Sequence, residues 1–163
     1  MEGADIFQTD IEAVYSRRII DPLYGAKITA KIGKATFGFL NTLDEAPGRE
    51  WAEEDNPYLG KKALFNIFRA KYDLFGNSYL GLLMPSRRFA GASNQVLGID
   101  GSFNFKQRYN FKFQGLGSYT TTEEGKKLRA PAFAAEFNRY SRHLSLAFLI
   151  EIYILIFELK LVS

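Results

Sequence analysis

Apolar and polar residues alternate along most of the chain from about residue 11 onward. The clearest example runs from Tyr109 to Tyr119. Its apolar positions are Tyr109, Phe111, Phe113, Gly115, Gly117 and Tyr119, and its polar positions are Asn110, Lys112, Gln114 and Ser118. In a β-strand successive side chains point to opposite sides of the sheet, so this period of two predicts a strand with one apolar and one polar face.

The same period recurs along the chain and predicts an all-β, antiparallel up-and-down meander of about nine strands. They are expected at roughly 11–20, 24–32, 35–43, 61–73, 78–88, 93–105, 107–120, 130–140 and from 143 onward. No segment before the tail has a convincing helical period. Several of these strands reach 11–13 residues, which is longer than usual in soluble sheets and long enough for a tilted membrane crossing.

The connections between the expected strands alternate in length. Tight turns are expected at Gly33-Lys34, Gly76-Asn77, Lys106-Gln107 and Ser141-Arg142, and longer loops at 21–23, 44–60, 88–92 and 121–130. This alternation predicts tight turns at one end of the sheet and long loops at the other, as in outer-membrane barrels. The strand pattern therefore favours part of a transmembrane-type β-barrel. A soluble β-sandwich or a lipocalin-like barrel is the alternative that the period also allows.

Composition narrows the class of protein. The 163 residues contain no cysteine, which excludes a disulfide scaffold and a thiolate metal site. The net charge of +3 is small and its basic residues are scattered, so nucleic acid is not expected as a partner. The acidic start has no apolar core, so no signal peptide is visible. The apolar run Leu144–Phe157 is broken by Glu151 and is shorter than a spanning helix.

Five segments resemble one bacterial family, the C-terminal barrel domain of unknown function 5916. They are Glu2–Phe7 (EGADIF), Tyr15–Ile19 (YSRRI), Gly25–Gly33 (GAKITAKIG), Gly38–Thr42 (GFLNT) and Asn94–Asp100 (NQVLGID). The resemblance covers most of residues 2–148. Members of that family usually carry a signal peptide and a carbohydrate-binding family-9-like domain upstream. The resemblance thus implies an outer-membrane parent protein, with membrane lipid and carbohydrate as partners.

Two departures from the family pattern predict that the chain is a fragment. In the family the E-G motif lies inside a longer chain, so Met1 resembles an internal methionine. From Ile150 the sequence reads IEIYILIFELKLVS where the family reads approximately Y-x-D-I-x-P-D-F-R. We therefore expect a partial barrel domain at 1–149 and an atypical tail at 150–163 that is a frameshift product. The source nucleotide sequence tests this hypothesis.

Few residues are candidates for a site. The expected ligand-binding residues are Arg17, Arg18, Lys27, Lys31 and Trp51. The two arginines and two lysines could face a polar lumen and bind an anionic glycan, or could lie on a solvated strand. Trp51 lies in an acidic loop that could stack on a sugar or bind Ca²⁺, although it lacks the regular spacing of a calcium loop. For this loop an ordinary solvated external loop is the favoured explanation.

No residue carries a clear catalytic signal. His143 is the only histidine and stands beside Arg142 at an expected hairpin, as surface histidines do. No nucleophile elbow, zinc-protease helix or phosphate-binding glycine loop is present in the sequence. No catalytic residue, metal or cofactor is therefore predicted, and a non-enzymatic role is favoured.

Three functions remain open from the sequence. The first is an outer-membrane barrel segment linked to carbohydrate binding or uptake through a missing N-terminal domain. The second is part of a glycan-active hydrolase, an inference that rests on association alone. The third is a soluble β-barrel that binds a ligand, which requires the aromatic faces to point inward.

Overall fold

A computed structural model describes residues 5–7, 21–45, 47, 58–106, 108–139 and 146–153. Within these residues the chain forms a short 3-10 turn at Asp5–Phe7 and one eight-stranded antiparallel sheet. The strands are β1 (Pro22–Ile32), β2 (Ala35–Asp44), β3 (Ala63–Asp73), β4 (Tyr79–Phe89), β5 (Ala92–Phe105), β6 (Tyr109–Thr121), β7 (Lys127–Arg139) and β8 (Leu146–Tyr153).

The strands follow one another across the sheet in chain order, β1 to β8, and each pairs with its neighbours in sequence. This confirms the all-β, antiparallel, up-and-down prediction. The ends of these eight strands differ from the predicted ends by at most three residues. The ninth predicted strand, at 11–20, lies outside the described residues. Within the described part of the chain no pairing joins β1 to β8, so the sheet is open there.

The predicted alternation of short and long connections is wrong. The predicted loop at 88–92 is a two-residue turn in which Ala90 and Gly91 both have positive φ, the combination that suits the twist of a tight hairpin. The predicted loop at 121–130 is a compact turn closed by hydrogen bonds between Thr122 and Lys126. Among the connections between the eight described strands, the one from Glu45 to Lys62 is the long one. The tight turns at Gly33-Lys34 and Gly76-Asn77 are confirmed.

The side-chain alternation divides the sheet into two unlike surfaces. We call the surface that carries Arg69, Asp100 and Gln114 the polar face, and the opposite surface, which carries Ile99 and Phe113, the apolar face. The buried side chains belong mainly to the polar face. Its buried polar residues are Thr42, Asp44, Arg69, Asp100, Ser102, Gln114 and Asn138, and its buried apolar residues are Ala63, Ile67, Leu83 and Ala134.

Among the described residues, no helix has the length and apolarity that crossing a membrane as a helix requires.

Candidate functional site

The apolar face carries most of the large apolar side chains that the described residues expose. Leu97 and Ile99 on β5 are 54% and 56% exposed, and Phe148 and Ile150 on β8 are 60% and 59% exposed. Four exposed large apolar residues lie elsewhere, namely Leu23, Leu59, Phe75 and Leu149. A soluble antiparallel sheet covers its apolar face and exposes its polar one. Here that distribution is reversed.

Aromatic side chains gather at one end of the apolar face, and Phe75 of the adjoining β3–β4 turn contacts them. Phe103 lies 6.2 Å from Phe113 and 6.5 Å from Phe111 between ring centroids, and Phe75 lies 5.8 Å from Phe105. Girdles of aromatic residues at the membrane–water interfaces are typical of transmembrane barrels.

Two tyrosine–arginine pairs bracket the apolar face on β6 and β7. Tyr109 is the register partner of Arg139, with the guanidinium 5.8 Å from the ring centroid. Tyr119 is the partner of Arg129, with the guanidinium 5.7 Å from the ring. The apolar-face residues between the two pairs are Phe111, Phe113, Gly115, Gly117, Pro131, Phe133, Ala135 and Phe137. All eight are apolar.

The spacing of these pairs agrees with the thickness of a bilayer. The two tyrosines stand ten residues apart on β6. At about 3.3 Å per residue this is roughly 33 Å along the strand. With a strand tilt of about 40° the separation along the membrane normal becomes about 25 Å, the height of the apolar band of outer-membrane barrels.

The polar face is organised around a buried ion pair that spans three strands. Arg69 on β3 meets Asp100 on β5 through two hydrogen bonds, from Nη1 to Oδ1 and from Nη2 to Oδ2, the latter 2.6 Å long. The arginine side chain is fully buried and that of the aspartate is 8% exposed. A bidentate pair of this kind combines charge with directional hydrogen bonds.

Gly81 makes the contact across the intervening strand β4 possible. It is the register partner of Asp100 and of Lys71, and a methyl group in its place would lie 2.6 Å from Asp100 Oδ1 and 2.7 Å from Arg69 Nη2. A side chain at this position would therefore displace the ion pair.

The N-terminal 3-10 turn lies on the polar face. Arg69 donates a hydrogen bond from Nε to the backbone carbonyl of Ile6, 3.2 Å away. The ring of Phe7 lies over Gly38, where a methyl group would come within 2.9 Å of the ring, and the Lys27 ammonium lies 5.6 Å from its centroid. Arg69 thus joins the turn to its own strand β3 and, through Asp100, to β5.

A second cluster combines a cation with aromatic rings at the end of the polar face nearest the long connection. The guanidinium of Arg87 lies 5.7 Å from the ring of Phe65 and 5.4 Å from that of Phe89. The ring of Tyr58 is tilted against that of Phe89, with the centroids 5.7 Å apart, and the Tyr58 hydroxyl donates a 2.9 Å hydrogen bond to Glu123. This bond, reinforced by partial desolvation and by the carboxylate charge, raises the pKa of Tyr58.

Two of the five predicted ligand-binding residues lie in the described part of the chain. Lys27 and Lys31 are both on β1 and on the polar face, where Lys31 forms a 3.1 Å ion pair with Asp73. The structure places them on one surface, as their spacing predicts. Arg17, Arg18 and Trp51 lie outside the described residues. Carbohydrate binding by these five residues stays a prediction.

The sequence did not reveal the Arg69–Asp100 pair. The two residues are separated by 31 positions and by one strand, so only the register of β3, β4 and β5 brings them together. The one available signal was an arginine on a strand with apolar neighbours on both sides, since a charge in such a strand requires a partner.

Comparison with protein-family models, curated proteins and solved structures gives no match. The resemblance to the domain of unknown function 5916 therefore stays a prediction.

Proposed function

We propose that the chain forms part of the wall of a transmembrane β-barrel of the bacterial outer membrane, with its apolar face against lipid and its polar face toward the lumen. The observation that carries the proposal is the reversed burial: Ile99 is 56% exposed while Arg69 on the opposite face is fully buried. Contiguous apolar surfaces of this extent mark protein or membrane contacts. Lipid-facing and lumen-facing residues alternate in this way along barrel strands.

The two tyrosine–arginine pairs, one at each end of the apolar band, support a contact between the apolar face and lipid. A bilayer requires an apolar band of matching height, and the band between the two pairs on β6 and β7 has that height. Tyrosine and arginine also suit its two boundaries, since each has an apolar body and a polar end that reaches the headgroups.

The soluble alternative fits these observations less well. A soluble ligand-binding barrel needs its aromatic side chains inside, whereas Phe133 and Phe148 are 42% and 60% exposed on the apolar face. The hydrolase alternative has no observation in its favour among the described residues. Carbohydrate uptake stays a prediction, and the Arg87 cluster, with two rings beside one guanidinium, is the place on the polar face where a sugar could stack.

An arginine placed on each face of β5 tests the proposal. The chain is refolded from urea into phosphatidylcholine vesicles, and vesicle flotation and the urea midpoint are measured. Ile99→Arg is expected to destabilise the inserted protein by about 2–4 kcal/mol, since it places a charge near the middle of the bilayer. The control Val96→Arg lies on the polar face of the same strand and should cost less than about 1 kcal/mol.

Two results would contradict the proposal. One is a folded chain that stays outside the vesicle fraction. The other is an equal loss of stability in the two variants, because then the two faces would not meet different solvents.

A further inference from the structure

The end of the apolar face that lies nearest the long connection is polar. Two lateral rows of register partners cross it from β3 to β7. The first row consists of Leu64, Arg88, Ser93, Thr121 and Lys127, and the second of Asn66, Ser86, Gln95, Tyr119 and Arg129. We call these two rows the basic rim. Leu64 is its one aliphatic residue, so the rim differs in chemistry from the rest of the face.

The rows that follow the basic rim along the same strands are apolar. The next row contains Phe68, Met84, Leu97, Gly117 and Pro131, and the row after it contains Ala70, Leu82, Ile99, Gly115 and Phe133. Successive rows of one face are two residues apart on each strand, which is about 7 Å. The face therefore changes from polar to apolar within the length of one lipid headgroup.

The basic rim carries three cations and no carboxylate. Arg88, Lys127 and Arg129 are exposed, and within the part of the chain that the structure describes none of them forms an ion pair. The β6–β7 turn beside the rim carries two carboxylates, Glu123 and Glu124, so the rim and this turn together stay net positive. The rim thus presents positive charge at the boundary of the apolar rows.

Hydroxyl groups lie between the cations. Ser93 and Thr121 separate Arg88 from Lys127 in the first row, and neighbouring strands are about 4.8 Å apart, so the row extends over about 14 Å. Guanidinium, ammonium and hydroxyl groups all donate hydrogen bonds, and one guanidinium can donate two to the oxygens of a phosphate. Lys127 and Arg129 follow each other on one face of β7, about 7 Å apart, so one phosphate can lie between them.

We propose that the basic rim binds the phosphate group of an anionic phospholipid whose acyl chains lie along the apolar rows. This inference rests on the proposed function, because it requires lipid against the apolar face. Charge and position both identify the occupant, since basic residues attract anionic headgroups at the membrane surface and the apolar rows begin where acyl chains begin. A soluble anion would match the cations but would leave the apolar rows uncovered.

The opposite end of the apolar face has a different composition. Its last two rows on β5 to β8 contain Phe103, Phe111, Phe137 and Phe148, then Phe105, Tyr109, Arg139 and Leu146. These two rows carry one cation, Arg139, among aromatic rings. We therefore expect the preference for an anionic headgroup at the basic rim and not at the aromatic end.

Fluorescence quenching at single cysteines tests the basic rim, because the chain contains no natural cysteine. Gly117→Cys lies beside the rim, where an added side chain meets no atom within 4 Å, and Phe148→Cys lies near the aromatic end. Each is labelled with bimane and refolded into phosphatidylcholine vesicles that contain spin-labelled phosphatidylglycerol or spin-labelled phosphatidylcholine. The dependence of quenching on the fraction of labelled lipid gives the affinity of each position for phosphatidylglycerol relative to phosphatidylcholine.

We expect phosphatidylglycerol to be preferred about twentyfold at Gly117→Cys, since a phosphate between two cations gains about fivefold from each. At Phe148→Cys the two lipids should quench equally.

Neutralising the cations separates the rim from the net charge of the chain. The variant with Arg88→Gln, Lys127→Gln and Arg129→Gln should lose the preference at Gly117→Cys while quenching by phosphatidylcholine is retained, which shows that the variant is folded and inserted. The matched control carries Lys27→Gln, Lys31→Gln and Lys34→Gln, at three exposed lysines of β1 and the turn after it. It makes the same change in net charge away from the rim, so the preference should stay.

The outcomes separate the headgroup site from the membrane proposal. Equal quenching by the two lipids at Gly117→Cys would overturn the site and leave the membrane proposal standing. A preference that survives in the rim variant, or that falls equally in the matched control, would also overturn the site. Absence of quenching by either lipid at both positions would contradict the membrane proposal, and the headgroup site with it.

Discussion

The two faces of the same sheet follow opposite rules. On the polar face Arg69, Asp100 and Gln114 are buried, and Arg69 and Asp100 are joined by an ion pair with two hydrogen bonds. The neighbouring positions along a strand belong to the apolar face. There Leu97 and Ile99 of β5 are more than half exposed. The polar face therefore has the directional interactions of an interior, while no layer of the described residues covers the apolar face.

The difference shows that amphipathicity alone does not say which side of a sheet is the inside. A period of two predicts two faces but is symmetric between them. The burial of the side chains distinguishes the two faces, and here the polar face is the buried one. We therefore expect substitutions on the two faces to differ in their effect on the stability of the protein.

The largest effect is expected at the buried ion pair. Arg69→Ala leaves the Asp100 carboxylate buried without its partner, and should lower the free energy of unfolding by about 3–5 kcal/mol. The control Lys112→Ala removes a 3.5 Å pair with Glu136 whose side chains are 38% and 33% exposed, so it should cost less than about 1 kcal/mol. Urea unfolding in vesicles measures both. Equal costs would contradict the different burial of the two pairs.

A smaller effect is expected from a methyl group added to each face. Gly81→Ala places its Cβ within 2.8 Å of three atoms of the ion pair and should destabilise by about 1–3 kcal/mol. Gly117→Ala on the apolar face meets no atom within 4 Å and should change stability by less than about 0.5 kcal/mol. The two urea midpoints are compared. A larger loss of stability for Gly117→Ala than for Gly81→Ala would show that the apolar face is crowded. It would contradict the difference between the two faces.

The smallest effect is expected outside the strands, at Tyr58. Its pKa is raised chiefly by the hydrogen bond to Glu123, so the bond contributes stability that is complete below the ordinary tyrosine pKa and is lost as pH rises through the raised one. Glu123→Gln removes the carboxylate and should move the titration of Tyr58 back toward its ordinary value. The difference in ultraviolet absorbance between each protein and its Tyr58→Phe counterpart isolates this one residue. An unchanged titration would show that the carboxylate does not act on it.

The strands could be predicted from the sequence because each face of a strand is readable from a few consecutive residues. On β6 the alternation of Phe111 and Phe113 with Lys112 and Gln114 is enough. Even β3, where Leu64 and Phe65 blur the alternation, was located to within two residues. Short segments of the sequence are therefore enough to predict the positions of the strands.

Turn lengths were harder to predict. The β4–β5 connection contains Ala90 with φ of 50°, a conformation that alanine rarely adopts, so the residues Phe89-Ala90-Gly91-Ala92 do not carry the asparagine–glycine signal of a tight hairpin. The strands on either side extend to Phe89 and Ala92 and impose the turn. Strand pairing here overrides the local preference of the residue.

The polar-face site could not be predicted because it depends on register. A shift of one residue between β4 and β5 would move Asp100 to the other face and away from Arg69. No short segment of the sequence indicates that register. The need for glycine at position 81 becomes apparent only when the positions of Arg69 and Asp100 are known. Lys27 and Lys31, by contrast, lie on one strand, so their shared face follows from spacing alone.

The order β1 to β8, in which every strand pairs with its sequence neighbours, makes the sheet divisible. A hairpin added at or deleted from either edge leaves all remaining pairings in place, since each described strand pairs only with its neighbours in sequence. The number of strands is therefore a quantity that gene duplication can change in steps of two, at little cost to the rest of the molecule. A sheet of this kind is a unit from which sheets of different width can be assembled.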